Sequence, residues 1–359
     1  MVSVRASAVL HSRSGDAALL ARLRTLRGRG RVDSVFRGVL NLQLPDGELV
    51  SLAARGCENA PRTLIVDIPH WGGSGVRPGE PVEFAPGSLT LPGGHGGIRI
   101  CLRESGEWNP ILPSLDQLTS SELSTAARAL RQATYAYGEL GGMLGAAPTA
   151  APMETAVCAA LDHGRRRLVR AVRSSCGAPY RCDGDAVTGQ SSPSGPDPVR
   201  RGSEVAPTAT DPTPREAAAP GESSSPLDEA VLALLGLGPG LTPAGDDFLV
   251  GIAVLSAIGG SRLGPFARAL DHILTEHPCR TTLLSTTTLR EALAGRVRAP
   301  LVDVLRSLTA TRGQSDAQAV DTIRSPVRRA LAHGHTSGAD TLSGLVTGLH
   351  LEKELRGSL

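Results

Sequence analysis

Short apolar runs separated by turn residues dominate the N-terminal part of the chain. Five of them have the length and β-branched content of strands, at 39–44, 48–54, 63–68, 81–84 and 97–102. Pro45-Asp46-Gly47 separates the first two, and glycine supplies the positive φ that a tight hairpin turn needs. The pattern predicts a small antiparallel β barrel or sandwich.

From about residue 115 the apolar residues recur at helical spacing. Thr119-x-x-Glu122 is a capping box, in which the two side chains satisfy free backbone groups at a helix start. This helix is predicted to run to about residue 140, and a second one from about 152 to 173. Ser225-Pro226 is an N-cap followed by proline, so it predicts a further helix that runs to residue 235.

A low-complexity segment interrupts the helical part. Residues 176–224 are rich in Ser, Pro, Gly, Thr and Ala and contain almost no large apolar side chains. They bury too little apolar surface to offset the entropy of ordering, so we predict a disordered insertion. The expected fold class is α+β, with a β-rich N-terminal domain at 1–110 and a mainly α-helical domain made of 111–175 and 225–359.

The composition excludes several classes of protein. The 37 basic residues are balanced by 35 acidic ones, whereas nucleic-acid-binding proteins concentrate an excess of Arg and Lys. The six cysteines form no CxxC pair of the kind that zinc sites use. No apolar run approaches the ~18 residues of a membrane span, and no continuous apolar segment opens the chain. We expect a cytoplasmic protein with no nucleic-acid or membrane partner.

The segment at 236–251, GLGPGLTPAGDDFLVG, carries the most chemical information. Gly236 is placed to end one helix and Thr242-Pro243 to begin the next. The loop between them would offer free backbone N–H groups at a helix start, where an anion is stabilised by about 0.3–1 kcal/mol and by up to ~2 kcal/mol when partly buried. Gly238, Gly240 and Thr242 are therefore candidate ligands for a phosphate or a carboxylate.

Asp246 and Asp247 complicate this interpretation, because they would repel an anion unless a metal, an arginine or a substrate amide lay between them. One of them is expected to bind a substrate N–H or a cation. A purely structural explanation is also open: a loop between helices needs glycine for its geometry, and aspartate is common in the first turn of a helix.

The spacing G-x-D-x-L-x-G occurs twice, at 245–251 and again at 338–344. Each copy lies at a predicted helix start, and the second follows His335-Thr336-Ser337. Two such helix starts could converge on one pocket, to which each contributes an aspartate, Asp247 or Asp340. The alternative is that both helices use glycine only to pack closely.

A run of hydroxyl side chains at 281–288 precedes a helix predicted at 289–293. The stretch from Ser285 to Arg290 loosely resembles the Ser-x-Arg-Thr motif with which carbamoyltransferases bind carbamoyl phosphate. A helix cap followed by threonines that hydrogen-bond to backbone carbonyls explains the run nearly as well.

The run at 238–247, GPGLTPAGDD, together with Gly334-His-Thr-Ser-Gly-x-Asp340, resembles a family of bacterial proteins to which the third subunit of oxamate carbamoyltransferase belongs. Residues 32–36, Asn41 and the motif at 58–61 are similar to N-terminal features of that family. Ala60 departs from it, since a glycine is expected at that position. The resemblance spans most of the chain outside 176–224.

The resemblance implies a role in allantoin and purine nitrogen breakdown, where a complex of three different proteins converts oxalurate and phosphate into oxamate and carbamoyl phosphate. The chain would then act with two other protein subunits on phosphate or carbamoyl phosphate and a small amide or ureide, without a cofactor. Asp247 and Asp340 would orient the substrate nitrogen. His335 would be the acid or base, because the ordinary pKa of histidine, about 6.5, is near working pH.

Two further hypotheses stay open. A metal-assisted hydrolase or lyase would hold Mg²⁺ or Mn²⁺ with Asp246, Asp247 and Asp340, since those ions prefer oxygen ligands. A non-catalytic scaffold or ligand-sensing subunit would leave the chemistry to its partners. The candidate substrate-binding residues are Gly238, Gly240, Thr242, Gly245, Asp246, Ser285, Thr336, Ser337, Gly338 and Asn59.

Overall fold

A computed structural model describes residues 8–93, 96–177, 225–332 and 334–357. The insertion predicted at 176–224 lies outside these residues, except for its first two positions, which end a helix. The rest of the described chain forms a β-rich N-terminal part followed by helices. The α+β class is confirmed.

Nine strands and one short helix make up the N-terminal part. The strands are β1 Ala8–Asp16, β2 Gly28–Val35, β3 Val39–Gln43, β4 Leu49–Ala54, β5 Thr63–Val66, β6 Pro81–Ala85, β7 Ser88–Leu91, β8 Ile98–Cys101 and β9 Gly106–Trp108, and helix α1 spans Ala17–Leu23. All five strands predicted from the pattern are present within one or two residues. The hairpin turn between β3 and β4 is confirmed, with Gly47 at φ 87.

The sheet closes into a barrel. Its order is β5-β4-β3-β2-β6-β7-β8-β1, and β1 pairs again with β5, while β9 adds to β1 outside the ring. The prediction of a barrel is correct, but not every pairing is antiparallel, because β4–β5 and β1–β8 are parallel. A bulge between Ser12 and Ser14 shifts the register of β1 against β5.

Ten helices are present in the described residues. Those after the barrel are α2 Ser120–Tyr137, α3 Pro152–Gly177, α4 Pro226–Leu232, α5 Ala244–Ser256, α6 Gly264–Glu276, α7 Leu283–Leu293, α8 Ala299–Ala310, α9 Asp316–Leu331 and α10 Ser337–Gly357. The capping box of Thr119 and Glu122 and the Ser225 N-cap are confirmed. Among these helices none is long and apolar enough to cross a membrane.

Helix α5 is the centre of the helical part. Every residue from Ala244 to Leu255 is buried, and α10 is its main packing partner. A helix that is apolar on all sides is expected in the core of a domain. The first turns of α5 and α10 therefore bring their aspartates into the interior.

Charged side chains join the barrel to the helices. Asp16, which is 1% exposed, accepts hydrogen bonds from Arg62 N at 2.7 Å and Arg296 Nη2 at 2.5 Å. Glu291 on α7 binds Arg62 at 2.5 Å and Arg296 at 2.7 Å. These contacts fix the loop before β5 against the start of α8.

Candidate functional site

The two G-x-D-x-L-x-G copies pack against each other reciprocally. A Cβ atom at Gly251 would overlap the carbonyl oxygen of Thr341, and one at Gly344 would overlap that of Phe248. Phe248 and Thr341 hold the same position in the two copies, directly after the aspartate. Further along, a Cβ atom at Gly348 would lie 2.6 Å from Leu255. The helices α5 and α10 thus run in the same direction, with their starts at the same end.

The first glycine of each copy has a matching structural role. A Cβ atom at Gly245 would overlap the carbonyl oxygen of Leu234, and one at Gly338 would lie 2.5 Å from that of Ala330. Each glycine therefore lets its helix pack against the end of the helix that precedes it. Close packing explains these glycines, so ligand binding is not needed to account for Gly245 and Gly338.

Asp246 faces away from Asp340. Its Oδ1 accepts a hydrogen bond from Gly236 N at 2.7 Å, and its Oδ2 accepts one from the Thr281 hydroxyl. Burial raises the pKa of Asp246, against these hydrogen bonds, which lower it. The nearby Ser285 hydroxyl lowers this pKa as well, although its geometry is not that of a hydrogen bond, since Ser285 Oγ is buried without a partner. Asp246 serves to anchor the loop at 236–243, which we call the glycine-rich loop.

Asp247 is only 8% exposed, and its Oδ2 has no hydrogen-bond partner. Burial raises the pKa of this carboxyl to about 7, with a further increase from the charge of Asp340. The hydroxyls of Ser337 and Thr242 and the charge of Arg298 act in the opposite direction. Asp247 is therefore close to half-protonated at neutral pH.

Asp340 is fully buried, and its Oδ2 also lacks a partner. Its Oδ1 accepts a hydrogen bond from Met143 N at 2.6 Å. Burial raises the pKa of Asp340 to about 6, against the hydrogen bonds from Met143 and Thr336. Gly142, at φ 50, leaves room for the carboxylate, because a Cβ atom there would overlap it.

The two aspartates form a coupled pair. The charge of Asp340 raises the pKa of Asp247, so the ionisation of one carboxyl group influences that of the other. Near neutral pH the pair can present one carboxylate, which accepts a hydrogen bond from an N–H group, and one carboxylic acid, which donates a proton. We call Asp247 and Asp340 the aspartate pair.

The glycine-rich loop leads into α5 and contacts the start of α10. Gly238 and Gly240 have φ of 115 and 103, values that favour glycine. The prediction that Thr242 caps α5 is wrong: Pro243 is the N-cap, and it makes no side-chain cap. Instead the Thr242 hydroxyl lies 3.1 Å from that of Ser337 at the start of α10.

The hydroxyl run at 281–288 supports the loop from the other side. Helix α7 begins at Leu283, six residues before the predicted start, and Thr282 is its N-cap. The Thr282 hydroxyl donates to Leu241 O at 2.7 Å, while Thr287 and Thr288 donate to backbone carbonyls one turn back. The structural explanation of this run is therefore the better one.

His335 lies on the surface. Its side chain is 79% exposed, and Nε2 pairs with Glu139 at 2.9 Å. In the part of the chain that the structure describes, no hydrogen bond joins His335 to either member of the aspartate pair. The acid or base predicted at His335 is therefore outside the buried site.

Asn59 reaches the helical part from the barrel. Its backbone oxygen accepts a hydrogen bond from Ala299 N at 2.9 Å, and its side chain accepts one from Ser14 at 2.9 Å. Arg298, the residue before Ala299, is the charged neighbour that acts on Asp247. The backbone of Asn59 thus holds the start of α8 in place.

Sequence reasoning missed Arg298 and the short 3-10 helix at Gly142–Leu144. Arg298 is the N-cap of α8 and makes no side-chain cap, although Ser, Thr, Asp and Asn are strongly preferred at that position. An arginine directly before Ala-Pro at a helix start is a signal that was available. From the sequence alone, the glycine pair at 141–142 indicates only the end of the first predicted helix.

The metal hypothesis required Asp246, Asp247 and Asp340 to meet at one ion. Asp246 instead binds Gly236 and Thr281. Within the described ranges, no group of three or more His, Cys, Asp and Glu side chains is arranged to hold a metal ion. The predicted three-aspartate set is therefore not assembled.

A surface cavity of about 380 Å³ lies elsewhere, between the ends of α2 and α9. The side chain of Arg328 stacks on the Tyr137 ring at 5.6 Å in its wall. The lining residues include no carboxyl group, so the aspartate pair remains the candidate site. The lining residues are Ala136, Tyr137, Arg328, Leu331 and Ala332.

Two family profiles match the chain. Residues 11–107 match the AllH family N-terminal domain, and residues 234–349 match the oxamate carbamoyltransferase subunit AllH. The first range covers most of the barrel, and the second contains both aspartates of the pair. No solved structure matches the chain. The resemblance stated from the motifs is confirmed, and the chain belongs to the AllH family of oxamate carbamoyltransferase subunits.

Proposed function

We propose that this chain holds the reaction site of a cytoplasmic oxamate carbamoyltransferase, in which phosphate cleaves oxalurate to oxamate and carbamoyl phosphate during allantoin breakdown. The aspartate pair carries the proposal. Both carboxyl groups are buried, both have an oxygen without a partner, and both lie at adjoining helix starts. Unpartnered buried oxygens are rare in proteins and often mark a ligand site.

In the proposed reaction, a phosphate oxygen attacks the carbamoyl carbon of oxalurate and forms a new O–C bond. The C–N bond to the oxamyl nitrogen breaks, and that nitrogen takes up a proton as oxamate leaves. The protonated member of the aspartate pair donates this proton, and the proton released by phosphate restores the pair. The ionised member accepts a hydrogen bond from the carbamoyl NH₂ group and orients it.

The helix starts supply the phosphate site in this proposal. Residues 238–242 and 336–338 lie at the starts of α5 and α10, where both helix dipoles favour an anion, and their backbone N–H groups would bind the phosphate. The hydroxyls of Thr242 and Ser337 lie between the two helix starts. Such a site lowers the barrier by positioning and electrostatic stabilisation, without a covalent intermediate.

The test compares Asp247→Asn and Asp340→Asn with His335→Gln in the complex with its partner subunits. We expect each aspartate variant to lower turnover of oxalurate about 100-fold or more, the scale of removing one well-placed electrostatic partner. His335→Gln serves as the exposed comparison and should lower kcat less than about 3-fold, because it lies outside the pair. Full activity of both folded aspartate variants would contradict the catalytic proposal.

A ligand-sensing subunit is the second candidate, favoured by the complete burial of Asp340 beneath Gly142 and Met143. In that case the partners hold the reactive groups, and the aspartate pair only binds the ligand. The aspartate variants would then lose ligand affinity, measured by calorimetry with phosphate and oxamate, while kcat at saturating substrate stayed unchanged.

A further inference from the structure

Large apolar side chains are exposed around the starts of α5 and α10. Nine such side chains are exposed among the residues that the structure describes, and five of them lie close to these two helix starts. The exposed fractions of the five range from 40% to 76%, so each has a large free surface. We call them the apolar rim: Tyr137, Leu140, Met153, Leu241 and Leu283.

The glycine-rich loop brings two members of the rim together. The Thr282 hydroxyl donates a hydrogen bond to the backbone oxygen of Leu241 at 2.7 Å, and Leu283 directly follows Thr282. Thr242 directly follows Leu241, and its hydroxyl lies 3.1 Å from that of Ser337 at the start of α10. The two leucines therefore adjoin the contact between the glycine-rich loop and α10.

A second glycine segment brings Leu140 and Met153 to the same helix start. A Cβ atom at Gly141 would lie 3.0 Å from Thr336 Cγ2 and 4.0 Å from Glu154 Oε1. Leu140 directly precedes Gly141, and Met153 directly precedes Glu154. The exposed leucine and methionine therefore lie on the two segments that meet at Gly141, next to the start of α10.

Tyr137 connects the rim to the surface cavity of about 380 Å³. A Cβ atom at Gly138, the next residue, would lie 3.5 Å from Ala339 Cβ in the first turn of α10. On the cavity side, the Arg328 guanidinium stacks on the Tyr137 ring at 5.6 Å and forms no ion pair with a carboxylate of the described chain. The stacking holds a cation in the cavity wall, where a carboxylate from another molecule would find a planar fork of donors.

Single exposed apolar side chains are normal on a protein surface, but a cluster of them marks an interaction site. Tyrosine, methionine and arginine are also enriched at protein–protein interfaces. The chain belongs to a family of oxamate carbamoyltransferase subunits. We propose that the apolar rim docks another subunit of the carbamoyltransferase, which packs apolar side chains on the rim and places a carboxylate in the cavity beside Arg328.

The position of the rim gives this docking a consequence for the aspartate pair. The rim adjoins both helix starts, so a docked subunit would cover them and exclude water from the carboxyl groups behind them. This consequence rests on the proposed function, which places phosphate at the helix starts. The docking itself rests on the exposed surface and on membership of a family of subunits.

The experiment mixes the full chain with the other subunits of the carbamoyltransferase and measures their association by analytical ultracentrifugation. We expect the double variant Leu140→Ser/Met153→Ser to raise the Kd about 10- to 100-fold, because truncated apolar contacts at the centre of an interface have effects of this size. Both side chains are exposed, so the variant should keep the wild-type Tm. Val9→Ser/Ile111→Ser is the matched control, since it removes equally exposed apolar side chains outside the rim.

Arg328→Glu tests the carboxylate assigned to the cavity. The substitution would place two like charges opposite each other, and their repulsion is least screened at low salt. We therefore expect the Kd of Arg328→Glu to rise most at low ionic strength. A Kd equal to that of the wild type at every salt concentration would contradict a carboxylate in the cavity.

Unchanged association of Leu140→Ser/Met153→Ser would overturn the proposal, and so would an equal loss in the control. A chain that dimerises by itself through the rim, and still binds the other subunits when the rim is altered, would assign this surface to a second copy instead. Turnover separates docking from the reaction: with the other subunits far above the raised Kd, the rim variant should regain wild-type turnover of oxalurate. If the wild-type complex does not turn over oxalurate, the proposed function fails, while the association measurements still decide the role of the rim.

Discussion

Asp247 is the residue whose ionisation should be most visible in the stability of the protein. Its pKa is raised from 3.8 to about 7 by burial and by the charge of Asp340. The folded protein therefore binds this proton more tightly than the unfolded chain does. The resulting contribution to stability is fully present below about pH 3.8 and is lost as the pH rises through about 7.

Asp247→Asn should remove this loss of stability at high pH, because asparagine does not ionise. We expect the variant to be more stable than the wild type at pH 8 by roughly 1–3 kcal/mol, and the difference to shrink as the pH is lowered towards 4. Urea unfolding at a series of pH values measures it. Asp321→Asn, at an exposed site, should stay within about 0.5 kcal/mol of the wild type throughout. A difference that does not vary with pH would contradict the raised pKa.

At the scale of single residues, the sequence predicts part of the candidate site. The repeated spacing identifies Asp247 and Asp340 because it is local. It does not show that Asp246 anchors the glycine-rich loop, since that role depends on Thr281, which lies on a different element and binds Asp246. Arg298 was missed for the same reason: its electrostatic relation to Asp247 depends on where the tertiary fold places the start of α8.

At the scale of elements, the crossing of α5 and α10 depends on glycine. Both contacts at the crossing are between a glycine Cα and a backbone carbonyl, so neither can be relieved by a side-chain rotation. The pattern left two explanations open: the two helix starts converge, or glycine only lets the helices pack closely. The structure combines them, because the glycines that pack the helices together also bring the two aspartates to one end.

Gly251→Ala tests this crossing. The added methyl group would meet the carbonyl oxygen of Thr341, so the helices must separate or the protein must unfold. We expect a loss of about 3 kcal/mol or more, the range of severe overpacking. Gly357→Ala, in the last turn of α10 with open space around it, should be neutral or slightly stabilising. Thermal unfolding of both variants measures these changes in stability. An unchanged Tm for Gly251→Ala would contradict the close packing of α5 and α10.

At the scale of the whole molecule, contacts distant in sequence determine what could not be predicted. Strand β1 closes the barrel by pairing with β8 and β5, and its polar residues His11, Arg13 and Asp16 hid it from a search for apolar runs. The five strands that were predicted are short apolar runs bounded by turn residues, so local pattern was sufficient for them. The junction between the barrel and the helices likewise brings together Asp16, Arg62, Glu291 and Arg296 from separate parts of the chain.

Asp16→Asn tests whether this junction makes the two parts unfold together. Asp16 Oδ2 accepts hydrogen bonds from Arg62 N and Arg296, and its Oδ1 accepts one from Ala18 N at the start of α1. In asparagine an NH₂ group would replace one of the two carboxylate oxygens and would face an N–H donor instead of accepting from it. Glu291 would then be the one remaining carboxylate paired with the Arg296 guanidinium. We expect a loss of about 3–5 kcal/mol, as for removing one partner of a buried ion pair.

The form of the unfolding curve distinguishes a local defect from a lost coupling. If the junction couples the two parts, the Asp16→Asn protein should unfold in two steps, one followed by the barrel's Trp71 fluorescence and the other by helical circular dichroism. Asp67→Asn, which affects exposed ion pairs with Arg13 and Arg55 on the barrel, should cost less than about 1 kcal/mol and leave the steps as in the wild type. If the fluorescence and circular dichroism transitions of Asp16→Asn coincide, at the same denaturant concentration as in the wild type, the junction adds no coupling between the two parts. In that case Asn59, which reaches α8 from the same barrel loop, would have to hold the start of α8 beside the aspartate pair without help from Asp16.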